Sequence, residues 1–280
     1  MSAAALVTGC SSGIGLRVVH TLARHGYRVH AGVRSPERAP ELHRMAADGL
    51  DVHVLRLDVT DAGSVAEAVA AAAPLDVLVN NAGIGMFGAM EALPEPDLRR
   101  LFDTNFFGPL QVIRAALPGM RARGRGVIVN IGSVDACLPG RPMTWSYAAS
   151  KHALGVASEG LAVEVEPFGV RVRQLDPGFF ATSILDNRRR RESGSLREEG
   201  PYAPFREAME AAVAAAVAGA GDPQDVADAV LEAITDGRAF PVRRLVGIDA
   251  VQAVAEESGR TEEESVATWK QSIGLAESPR

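Results

Sequence analysis

The sequence predicts an α/β fold, a doubly wound parallel sheet with helices on both faces. Three observations predict it. Short strand-like runs alternate with helical ones along the chain. Repeated strand-helix-strand units require a parallel sheet covered on both sides. The glycine-rich and polar residues fall at the C-terminal ends of the strand runs, where such sheets bind ligands. With 280 residues and 47% hydrophobic content, the chain can bury one large core, and one domain is expected over residues 1–280.

The elements follow in order. Strand runs occupy 3–7, 28–33, 52–57, 76–80, 126–131, 170–175 and 240–246. Helical runs cover 14–25, 64–73, 96–123, the stretch from 146 to 166, and 202–218. Ser35-Pro36 supplies an N-cap and a first-turn proline for the helix after the second strand, and Asp222-Pro223 does so near the end. Thr261 and Glu264 make a capping box, so 261–280 is expected as a surface helix and tail. Residues 179–221, after the sixth strand, carry glycines at Gly194, Gly200, Gly219 and Gly221 and are expected to form a lid.

The first strand ends in a loop containing Gly9, Ser11, Ser12, Gly13, Ile14 and Gly15. Glycines there allow a tight turn and close backbone approach to a pyrophosphate, and the next helix points free N–H groups at the phosphates. The second strand ends in Arg34, where an acidic residue would take the ribose hydroxyl of NAD. An arginine suits the 2′-phosphate of NADP; the alternative is a solvated strand-end arginine.

Further strand ends carry Asp58-Val59, placed for an adenine ring, and Asn81-Ala82-Gly83. Asn105 lies in an apolar helical stretch, where it either bonds back to the helix or serves a buried polar network. Ser133 ends the fifth strand and can donate to a carbonyl oxygen gaining charge. The sixth ends in Pro177-Gly178-Phe179-Phe180, followed by Thr182. Tyr147 and Lys151, four apart, lie on one helix face and could form a tuned proton donor and acceptor. A half-buried tyrosine beside a solvated lysine is the plainer reading. Lysine occurs only at Lys151 and Lys270 in a chain that otherwise uses arginine.

Together these motifs resemble the short-chain dehydrogenase/reductase family, in its single-domain Rossmann-like branch, over residues 4–250. The glycine loop, Val33-Arg34 and the segment 167–170 are most similar to the 17β-hydroxysteroid and retinol dehydrogenases of that family. The resemblance implies Tyr147 as acid-base, Ser133 as carbonyl stabiliser and Asn105 as holder of a relay water. It implies Lys151 as the group that lowers the tyrosine pKa and holds the nicotinamide ribose. It further implies NADP(H) in preference to NAD(H), a ketone or secondary alcohol as substrate, and a homodimer or homotetramer. A dehydratase or epimerase on the same fold is the alternative, and a cofactor-binding regulator is disfavoured by the intact Ser133, Tyr147 and Lys151.

A bulky apolar substrate is expected from the aromatic and aliphatic residues near that site. Met86, Phe87, Leu138, Pro139, Met143, Trp145, Phe179, Phe180, Ile184 and Leu185 are the candidates. Asp135, two residues after Ser133, either pairs with a substrate hydroxyl or amine or is a solvated loop carboxylate. The net charge of -6 argues against nucleic acid as partner, and the arginine run 188–191 reads as a solvated face. Two cysteines make no disulfide framework, no leader or membrane span is evident, and a cytoplasmic location is expected. No metal-ligand cluster is evident.

Overall fold

A computed structural model describes residues 2–180, 200–239 and 241–272. Among the described residues, seven strands form one parallel sheet: β1 (Ala4–Thr8), β2 (Arg28–Val33), β3 (Val52–Arg56), β4 (Val77–Asn80), β5 (Gly126–Ile131), β6 (Val170–Pro177) and β7 (Arg243–Val246). Their order is β3-β2-β1-β4-β5-β6-β7, so the winding reverses between β1 and β4. That reversal opens a crevice at the strand C-termini.

Helices cover both faces. On one side lie α1 (Gly13–Arg24), α2 (Pro40–Ala47) and α8 (Pro223–Thr235); Val18, Leu22 and Leu42 pack there with Val226 and Val230. On the other lie α3 (Ala62–Ala71), α5 (Gly108–Arg123) and α6 (Trp145–Val165), where Leu78 and Ile128 of the sheet meet Val65, Val112 and Ala162. Burial on both faces explains why the central strands read as nearly continuous apolar runs.

Three expected elements differ. Pro36 opens only a 3-10 turn (Pro36–Arg38), and Pro40 takes the first helical position of α2 instead. The long helix is α4 (Glu95–Phe102) and α5 joined by a π-helical segment, Asp103–Phe107, that contains Asn105. The last strand begins at Arg243, and Phe240 lies outside the described residues. After it comes a helix the sequence reading had not placed, α9 (Ile248–Ser258). The final helix, α10 (Glu262–Ser272), has its capping box: Thr261 N–H donates to Glu264 at 2.8 Å, and Glu264 N–H donates to Thr261 Oγ1 at 3.3 Å.

Part of the expected lid falls outside the described residues, which omit 181–199 and with them Thr182, Ile184, Leu185, the arginine run and Gly194. Its described parts are helix α7 (Ala203–Ala218) and a bridge between Phe180 and Gly221.

Candidate active site

The crevice encloses a cavity of about 420 Å³ that runs from the glycine loop to Tyr147. Gly9, Ser11, Ser12, Gly13, Ile14 and Gly15 form one end, with Arg34, Asp58 and Val59 beside them. Asn81, Ala82 and Gly83 line the middle; Ser133, Asp135, Tyr147, Lys151, Pro177, Gly178, Phe179 and Phe180 close the far end.

The glycines at the first end are required by geometry. Gly9 has a φ of 66°, and a Cβ there would stand 2.6 Å from the Ala82 Cα. Thr8 Oγ1 accepts hydrogen bonds from the Asn81 and Ala82 N–H groups at 3.0 Å, and Asn81 Nδ2 donates to Gly9 O at 2.9 Å. The β1 and β4 strand ends are thereby locked together under the cavity. The first turn of α1 faces that cavity with N–H groups that have no intrahelical partner.

Asp58 is held below the ordinary carboxylate range. Burial works the other way, but hydrogen bonds from Thr60 and the nearby Arg34 and Arg56 charges outweigh it. The exposed Arg34 guanidinium therefore stands at the rim of the cavity beside a carboxylate.

At the far end, Lys151 is 4% exposed and its Nζ donates to Ile131 O at 2.8 Å. It lies 5.9 Å from the Tyr147 ring centre. Burial brings its pKa down to about 8, against the opposing pull of Asp176. The Tyr147 phenol moves the other way. Burial raises its pKa, Asp135 and Asp176 add to the rise, and a hydrogen bond with the Ser133 side chain works against it. The lowering expected from Lys151 is not seen here: burial dominates, and the charges acting on the phenol are those of Asp135 and Asp176.

Asn105 is fully buried and takes part in a polar network rather than bonding back to its helix. Its Oδ1 accepts from Ile84 N–H at 2.9 Å, and its Nδ2 donates to Ile84 O at 3.0 Å and to Ser150 Oγ at 3.1 Å. Ser150 Oγ donates in turn to Tyr147 O at 2.7 Å. A Cβ on Gly83 would stand 3.4 Å from Asn105 Oδ1 and 3.6 Å from Lys151 Nζ, so the glycine leaves that space open.

Two expected substrate residues have protein partners. Leu138 is 2% exposed and packs with Val134 and Ala250 beneath α9, an element absent from the sequence reading. Trp145 donates its indole N–H to Gly88 O at 3.1 Å. Asp135 faces the cavity and is no freely solvated loop carboxylate; burial raises its pKa, and Arg141 and His152 only partly offset this. Arg100 and Thr104 also line the cavity. Their spacing of four on a helix leading to Asn105 was a signal the sequence reading did not use. Asp176, buried beneath Ser133, was missed as well. Among the described residues, no group of three or more His, Cys, Asp or Glu side chains could hold a metal ion.

A doubly wound sheet with this crevice and these strand-end groups defines a short-chain dehydrogenase/reductase. The chain belongs to that family and is an oxidoreductase of that class: the family model for short chain dehydrogenase matches residues 3–193. The uncharacterized oxidoreductase YusZ of Bacillus subtilis (strain 168) is 36% identical over 249 residues, covering 87% of this chain and 88% of YusZ. Human retinol dehydrogenase 8 is 36% identical over 255 residues, covering 87% of this chain and 81% of that protein. Among solved structures, a Burkholderia phymatum short chain dehydrogenase/reductase in complex with NAD matches with a TM-score of 0.79 at 27% identity, over 95% of each chain. A variant of the actinorhodin polyketide ketoreductase with NADPH matches with a TM-score of 0.74 at 30% identity, over 87% of this chain and 95% of that one. Among the described residues, no helix is long and apolar enough to cross a membrane.

Proposed function

We propose that the protein is an NADP(H)-dependent oxidoreductase that interconverts a bulky, largely apolar ketone and the corresponding secondary alcohol. One observation carries the reading: Ser133, Tyr147 and Lys151 converge at the end of a cavity whose opposite end is a glycine cradle at a helix N-terminus. The cradle fits a dinucleotide pyrophosphate, since Gly9 and Gly15 leave no room for a Cβ and the first N–H groups of α1 face the cavity. A bound nicotinamide dinucleotide would supply or accept the hydride.

The chain's own residues do the rest. Tyr147, held neutral by burial, carries the proton a carbonyl oxygen takes up on reduction. Ser133 donates to that oxygen as it gains charge. Lys151, with a pKa near 8, places a cation beside the phenol and the ribose. Arg34 receives the 2′-phosphate, which favours NADP(H), with NAD(H) accepted more weakly. Asn105, wired to Ile84 and Ser150, holds the backbone where a relay water would sit.

Phe87, Phe179 and Phe180 line the substrate end, and the chain's likeness to a retinol dehydrogenase and a polyketide ketoreductase supports a bulky apolar substrate. Each buried CH₂ contributes about 0.8 kcal/mol of binding. A dehydratase or epimerase has no comparable observation in its favour. The same reading includes a homodimer or homotetramer in the cytoplasm. Assaying ketones and alcohols with both cofactors at the nicotinamide absorbance tests it; absence of any cofactor-linked turnover contradicts it.

A further inference from the structure

We propose that the ion pair between Asp176 and Arg243 is a positioning clamp that holds the Ser133 turn in register with the helix carrying Tyr147 and Lys151; the proposal rests on reading those residues as the reacting site. The partners are 67 residues apart in the chain and join β6 to β7 directly beneath the cavity.

Asp176 is fully buried. Its Oδ1 accepts from the Ser133 N–H at 3.2 Å and from Gln174 Nε2 at 2.8 Å. Its Oδ2 accepts from Arg243 Nε at 2.9 Å and from the Cys137 thiol at 3.7 Å. A Cβ on Gly132 would stand 2.0 Å from Asp176 Oδ1, so the backbone leading into Ser133 rests on the carboxylate.

Arg243 grips the other end of the same turn. Its Nη2 donates to Ala136 O and to Cys137 Sγ, both at 2.9 Å. Its Nη1 lies 3.7 Å from Glu159 of α6. A Cβ on Gly155, one turn beyond Lys151, would stand 3.1 Å from that same nitrogen, so the guanidinium fills the groove this glycine leaves in α6. Two side chains therefore tie Ser133, the Tyr147 helix and the Pro177-Gly178 strand end into one unit.

A buried ion pair gains little net stability over apolar residues of the same volume, so stability alone does not explain its place. Its charge also reaches the reacting groups. The groups facing Lys151 and Tyr147 are Asp176 from β6, Asp135 and Ser133 from the turn, and each other on α6. Arg243 partly neutralises Asp176, and Glu159 stands behind Arg243. Asp176 supports the protonated forms of both Lys151 and Tyr147. Ketone reduction takes its proton from Tyr147 and needs the Lys151 cation beside it, so the reductive rate falls as pH rises through their deprotonation.

The test compares Asp176→Asn and Arg243→Gln with wild type, using trans-1-decalone and NADPH across pH, together with hydrogen exchange of residues 132–138. Asp176→Asn should lower kcat by roughly 10–100-fold, the scale expected of a misplaced reacting group, with KM for NADPH little changed. Its alkaline limb should move to lower pH, and that of Arg243→Gln, which leaves the carboxylate uncompensated, to higher pH. Exchange of 132–138 should quicken in both. Wild-type kcat, limb and exchange in Asp176→Asn would overturn the proposal, and so would a lost kcat with limb and exchange unmoved. Should Asp176→Asn fail to fold, Arg243→Gln decides by the same readouts. A wild type inert toward every ketone and alcohol contradicts the proposed function instead, and the exchange data then decide the clamp.

Discussion

A phenol raised above its ordinary pKa keeps its proton until something forces it off, which is what a proton donor to a nascent alkoxide requires. At Tyr147 burial dominates, and the residues around it divide into those that hold the proton, Asp135 and Asp176, and one that eases its departure, Ser133. The sequence showed the pair of Tyr147 and Lys151 by spacing alone. The direction of the phenol's shift was not legible there, because it depends on burial and on two carboxylates brought in from elsewhere in the fold. Arg34 is the opposite case, a residue whose position at a strand end was readable directly. If it takes the 2′-phosphate, wild type should show a higher kcat/KM with NADPH than with NADH, and Arg34→Asp should reverse or erase the preference. Equal kcat/KM for both cofactors in wild type would refute the assignment.

At the scale of elements, the alternation of strands and helices and the glycine loop follow from local pattern, and the β2 and β5 boundaries agree with the sequence reading residue for residue. What escaped it has physical causes. The π-helical segment at Asn105 lies where a buried amide exchanges hydrogen bonds with Ile84 in the loop after β4, a partner invisible to helical periodicity. Helix α9 carries an exposed Ile248 and Val251, so its apolar pattern points no single way in the sequence. The burial of Leu138 escaped the sequence for the same reason, since α9 contributes to it. The loop itself yields a sharp expectation. Gly9→Ala adds roughly 1–2 kcal/mol of left-handed backbone strain and a clash with Ala82, together lowering Tm by about 5 °C or more and weakening NADPH binding. An unchanged Tm and unchanged NADPH affinity would show that the turn is not under this constraint.

At the scale of the whole molecule, polar side chains cross the buried sheet from β4 to β7. Asn80 Nδ2 donates to Asn130 Oδ1 at 2.9 Å, and Asn130 Nδ2 donates to Ser158 Oγ at 2.9 Å. Ser158 Oγ lies 2.9 Å from Gln174 Oε1, and Gln174 reaches Asp176. Little of this was legible in the sequence, because every link except Gln174 to Asp176, two apart on β6, joins residues far apart in the chain or on different elements. The outer face of α6 exposes Val156 and Val163, and Phe107 is exposed where α5 begins. The proposed homodimer or homotetramer would cover such a face. Sedimentation at micromolar concentration should give two or four chains, and a monomer would overturn that part of the account.

The central claim is that this cavity reduces a bulky apolar ketone with NADPH through the Tyr147 proton. It is tested most directly by kcat/KM for small, sugar-like and polycyclic ketones, measured at the nicotinamide absorbance for wild type and Tyr147→Phe. The account predicts a clear preference for the polycyclic ketones. It also predicts a loss of about 10²-fold or more in Tyr147→Phe, with NADPH binding retained. A preference for the sugar-like ketones, or a Tyr147→Phe enzyme that keeps a substantial fraction of the wild-type rate, would contradict it.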